Sequence, residues 1–143
     1  LGDLQEEGCM RRGLVLTALI LAACGSVGLP AEIGADFDLG GVLDDLRDCD
    51  ALSETFVAVV REAAEDLDNL SDASGGLVPA AELAEKVDVL TGNAYFDIAE
   101  RLGCNAVAQR VDTIDRLRNL TPDSAAGDDL VTEVIRQLEA QAS

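Results

Sequence analysis

From Leu39 onward, apolar side chains recur every three or four residues. That spacing restricts the chain to helices that each bury one face. Leu39, Val42, Leu43, Leu46 and Cys49 form the first stripe. Leu52, Phe56, Val59, Val60, Ala63, Leu67 and Leu70 form the second, with Asp50 or Ser53 expected to cap its start. The small and polar residues 71–76, ending in Gly75 and Gly76, stop it. Pro79 is expected in the first turn of the next helix, where its missing N–H costs nothing. Leu83, Val87, Leu90, Ala94, Ile98 and Leu102 then share one stripe, which Thr91, Gly92 and Asn93 are expected to kink or split. Gly103 reads as a stop, and Asn105 as the cap of a segment with Val107, Val111, Ile114 and Leu117 facing inward. Thr121 and Pro122 mark the start of the final helix, whose stripe is Leu130, Val131, Val134, Ile135 and Leu138. No convincing alternating run appears, and neither does an Asn-Gly hairpin turn. The expected fold is all-α, a small bundle of four to five helices over residues 39–143.

Composition says what fills and what surrounds such a bundle. Phe37, Phe56, Tyr95 and Phe96 are the only aromatic residues, so the core must be aliphatic. The net charge of −18 argues against nucleic acid, whose binding proteins displace counterions with basic surface. It equally argues against side-chain docking on anionic lipid. Acidity of this size reflects solubility or a salty habitat more readily than a partner.

Residues 10–24 have a different character. Met10, Arg11 and Arg12 precede an apolar run from Leu14 to Ala23, and small residues follow it. Positive start, hydrophobic middle and small residues at a cut site make the secretory signal pattern. The run is ten residues long, half of the roughly 20 that a helix needs to span a bilayer, so it is no permanent anchor. Leu21, Ala22, Ala23 and Cys24 resemble the lipobox of bacterial lipoprotein precursors at each of its four positions. The resemblance covers residues 10–26. It implies cleavage before Cys24, a diacylglycerol on the Cys24 thiol and, in many members, a further acyl chain on the new amino terminus. Two or three chains hold a protein on a membrane stably where one does not. The expected location is the extracytoplasmic face of the cell membrane. Arg11 and Arg12 lack the neighbours of a twin-arginine signal, so the general secretion route is expected.

The rest of the chain is divided accordingly. Residues 1–9 carry Glu6 and Glu7 ahead of a positive start and are expected to be a mis-called extension upstream of Met10. Residues 10–23 are the signal peptide, and residues 24–38, rich in Gly and aperiodic, a lipidated flexible tether. The region after Cys24 is similar to small exported all-helical lipoproteins of actinobacteria. The preference for Arg over Lys, nine residues to one, suits such a GC-rich source.

With Cys24 lipidated and Cys9 upstream of the start, Cys49 and Cys104 remain. An even number in an exported domain suggests a disulfide; the alternative is two separate buried thiols. A metal site is not expected, since the chain has no histidine and no Cys-x-x-Cys pair. Asp36 and Asp38 begin like a calcium-binding loop, but Arg47 stands where a bidentate Glu is required and Gly40 replaces a ligand. Asp66, Asp68 and Asp72 match no better.

Without histidine, the commonest general base is missing. Neither G-x-S-x-G nor S-x-x-K occurs, and no glycine loop with a lysine cradles a phosphate. Carboxylates suffice for a glycosidase pair, yet the absence of tryptophan leaves little surface for a sugar. No catalytic residue and no cofactor is assigned. Arg101, Arg110, Arg116 and Arg118 are expected to pair with nearby acids, and Tyr95 and Phe96 to pack at a helix kink. The leading expectation is a membrane-anchored, non-enzymatic domain with another envelope protein as its partner. The alternative is a module that binds an apolar or lipid-like molecule between helices, marked by a cavity at Tyr95 and Phe96.

Overall fold

The computed structural model describes residues 32–141. The expected extension (1–9), the expected signal peptide (10–23) and the expected tether up to residue 31 lie outside the described residues. Six helical segments follow one another: α1 (Leu39–Asp44), α2 (Cys49–Ser74), α3 (Ala80–Leu90), α4 (Ala94–Arg101), α5 (Ala106–Leu117) and α6 (Ala125–Ala140). Five of them have eight residues or more, and there is no strand among the described residues. The fold is an all-α bundle, as the periodicity requires.

α2 is the spine. Its 26 residues make a rod about 39 Å long at 1.5 Å per residue. The stripe from Leu52 to Leu67 is buried, and α5 and α6 pack along it. α1 lies on α4, and α3 on α6. The core is aliphatic around one aromatic pair, Phe56 and Tyr95, with ring centroids 4.7 Å apart.

The helix ends follow the residues available. Asp48 caps α2 by accepting the Ala51 N–H at 2.8 Å. Neither Asp50 nor Ser53 is in place for that, because both already lie inside the helix. Gly75, at φ 70°, ends α2 in the left-handed conformation that glycine adopts without strain. Pro79 stands one residue before α3, and Thr91–Asn93 separates α3 from α4. Asn105 caps α5 through the Ala108 N–H at 3.0 Å.

Ser124, not Thr121, caps α6, accepting the Gly127 N–H at 3.1 Å. The reason is remote in sequence. The Asp68 carboxylate on α2 accepts the backbone N–H of Asp123 (2.8 Å) and of Ser124 (3.0 Å), and also the Ser124 hydroxyl. That grip sets where the last helix begins.

Two further expectations are corrected. On α5, Val107 and Val111 are not inward: they are 67% and 54% exposed. Ile114 and Leu117 are buried as expected, and Gln109 and Thr113 are buried in place of the two valines. The interior opposite α5 holds the hydroxyls of Ser53 and Tyr95, and only a polar face can satisfy them. The packed domain also begins earlier than Leu39. Ile33 is fully buried, and residues 33–35 are tied to α2 and α3, so this stretch is not a free tether.

Candidate functional site

The disulfide is formed. Cys49 opens α2 and Cys104 lies in the turn between α4 and α5, with Cα atoms 5.8 Å apart and 55 positions between them in sequence. Beneath it runs a buried polar network. The Gln109 side-chain amide donates to the Cys49 carbonyl at 2.6 Å and to Ser53 Oγ at 2.8 Å. Ser53 Oγ and Thr113 Oγ1 are 2.9 Å apart, and Thr113 Oγ1 and the Tyr95 hydroxyl 2.7 Å.

Burial is the largest influence on Tyr95 and pushes its pKa up, while the polar side chains of Thr113 first, then Gln109 and Ser53, pull it back. The phenol therefore stays protonated and partnered. No carboxylate or amine is hydrogen-bonded to this network among the described residues, so its hydroxyls have no base to activate them. Its chemical role is to fix which face of α5 points inward. Phe96 packs edge-on against Tyr95, centroids 5.1 Å apart. No described cavity is lined by either ring.

The arginines do not converge on an anion site. Arg101 binds the Asp44 carboxylate at 2.8 Å. Arg116 is shared among Asp50, Asp112 and Glu54 at 2.5, 2.9 and 3.5 Å. Arg118 bridges Asp115 and Glu139 at 3.3 and 3.0 Å. Arg110 alone of the four is in no ion pair among the described residues; its Nε is buried without a hydrogen-bond partner. It borders an open concavity of about 310 Å³ floored by Val107, Val111 and Ile114.

A second constellation escaped the sequence reading. Lys86, the only lysine of the chain, is buried. Its ammonium donates to the Ile33 carbonyl (2.5 Å) and to Asp66 Oδ2 (3.1 Å), and the same oxygen accepts the Ile33 N–H at 2.9 Å. Ile33 is thus held at both of its backbone groups by a single ion pair. Glu85 adds a third tie by accepting the Ala35 N–H at 2.7 Å. One signal was present: Lys86 sits on the apolar face of α3 between Leu83 and Leu90, where a lysine needs a buried partner.

Asp66 and Asp68 therefore have structural uses, and Asp72 is exposed. Among the described residues no three potential ligands are grouped to hold a metal ion. Cys24, the expected lipidation site, lies outside the described residues. No protein-family model matches the chain, and neither does any curated protein or solved structure.

Proposed function

We propose that this chain is exported and held by lipid on Cys24 at the outer face of a membrane, where its helical domain is a non-enzymatic interaction module for another envelope protein. The observation that carries the reading is the Cys49–Cys104 disulfide. Such bonds form and persist in oxidising compartments outside the cytosol. The lipobox at residues 21–24 adds the means of attachment. Among the described residues no helix is long and apolar enough to cross a membrane, so on this reading the lipid does the anchoring. The partner-facing surface is the outer side of α5, where Val107 and Val111 are exposed beside Arg110. A ligand lodged in the bundle interior is disfavoured, because Tyr95 and Phe56 fill it.

Intact-mass measurement on protein purified from its native membranes tests this. The expected species begins at Cys24, carries acyl chains and has two fewer protons than the dithiol form. Unacylated protein that retains residues 10–23 would sink the proposal.

A further inference from the structure

We infer that the outer face of α5 receives one helix of a partner protein, and that this helix sets a carboxylate opposite Arg110. The inference rests on the interaction role proposed above and names the partner's chemistry. Val107 and Val111, one turn apart on α5, are both exposed. Ile114, the next residue of that stripe, is buried and lines the same concavity of about 310 Å³. Leu77, the remaining large apolar side chain exposed among the described residues, stands alone between α2 and α3.

Spacing says what kind of element fits. The steps from Val107 to Val111 and from Val111 to Ile114 are four residues and three. That alternation marks the seam along which two helices pack side by side. The seam covers two turns, about 10 Å, enough to seat a few aliphatic side chains of an incoming helix. Arg110 precedes Val111 by one residue. It therefore flanks the seam, in the position from which paired helices exchange charges.

Charge says what that helix carries. Arg110 is in no ion pair among the described residues, and its Nε is buried without a hydrogen-bond partner. A buried donor left unpaired is costly. A guanidinium offers its N–H groups as a planar fork that fits a carboxylate. The side chain is half-buried, so it can turn over the concavity and present that fork to an arriving acid. Arg118, about 12 Å further along α5, is already shared between Asp115 and Glu139. An acid placed there would meet two carboxylates for one arginine. The partner's acid therefore belongs opposite Arg110, and this fixes the register of the incoming helix. A second copy of this chain is a poor occupant. Its net charge of −18 repels its like, and the acids bordering its own concavity are both held by Arg118.

The test places a photo-crosslinking residue at Val107 of the full chain in its native host, with and without Arg110→Glu. The expected adduct joins Val107 to a different protein, in an aliphatic helical segment with an Asp or Glu within one turn of the attachment. Arg110→Glu should lower its yield several-fold, and exchanging that partner acid for Arg should restore it. Restoration also shows that the domain stayed folded. An attached segment without an acid, a yield indifferent to Arg110→Glu, or a loss that the exchanged charge does not restore overturns this inference alone. Attachment to a second copy of the chain, or no protein adduct, overturns the interaction role proposed for this face, and the inference with it.

Discussion

The two ends of α2 are held by different physics. At its start, a covalent bridge and a chain of neutral hydrogen bonds through Gln109, Ser53, Thr113 and Tyr95 join α2 to α4 and α5. Toward its end, aliphatic packing and the single Lys86–Asp66 pair join it to α3 and to residue 33. Neutral hydrogen bonds are directional, so the first end fixes which face of a helix turns inward. The second end fixes where an incoming chain segment lies, and it does so with charges. The corner's charged ties, Arg116 to Asp50 and Glu54, lie at the surface where solvent screens them, so the corner should respond less to pH and salt than the buried strap.

Removing the bridge is the largest test of that contrast. Cys49→Ser with Cys104→Ser should cost about 4 kcal/mol, the chain-entropy value for a loop of 55 residues. Urea unfolding with and without reductant measures it, and reductant should have no further effect on the double variant. A loss below about 1 kcal/mol would mean that the hydrogen bonds, not the bridge, hold the corner. Next in size is Lys86→Met. It leaves Asp66 and the Ile33 carbonyl without their partner in a site where the lysine side chain is 9% exposed. Breaking such a pair from one side costs about 3 kcal/mol. Amide exchange should accelerate at residues 33–35 and stay unchanged at residues 51–53. Continued protection of the Ile33 amide would show that the apolar socket alone retains the strap.

The same contrast explains what could be read from the sequence. Periodicity located the helices well, because burying one face is a local demand on each segment. Gly103 and Asn105 were legible for the same reason. Failures came where a residue far along the chain decided the outcome. Asp68, 56 positions before Ser124, sets the start of α6. Ser53 and Tyr95 turn α5 so that Gln109 and Thr113 face inward, although Val107 and Val111 are the more apolar residues. Of the residues singled out for chemistry, Cys49 and Cys104 meet, and three of the four arginines pair with acids. Lys86 was overlooked because its partners are a distant carboxylate and a backbone carbonyl, and neither has a sequence signature.

Thr113→Val probes whether the polar network or mere bulk orients α5. The shapes are close, and the change removes the group that links Ser53 to Tyr95. Stranding those hydroxyls should cost about 1–2 kcal/mol. Adding Ser53→Ala and Tyr95→Phe should restore part of the loss, since an apolar patch without orphans is cheaper than a half-satisfied network. A triple variant less stable than Thr113→Val would show that the network contributes more than its unpaired members cost.

The smallest effect is electrostatic and belongs to the strap end. Glu62 lies on α2 one turn before Glu65 and Asp66. Burial first, then the charges of Glu65 and Asp66, raise its pKa above the usual carboxylate value. A carboxyl raised in the folded state favours folding when protonated, and that advantage is lost as pH rises from its unfolded pKa, near 4.5, through its folded one. Glu62→Gln should therefore stabilise the protein slightly at pH 7 and have no such effect at pH 3, as read from melting temperatures at the two pH values. An equal gain at pH 3 would trace the effect to the side chain's helix preference instead of its charge. The gain should grow in the Lys86→Met background, where Asp66 has lost its counter-charge. If it does not, Asp66 is screened from Glu62, and the strap's charges act on Ile33 alone.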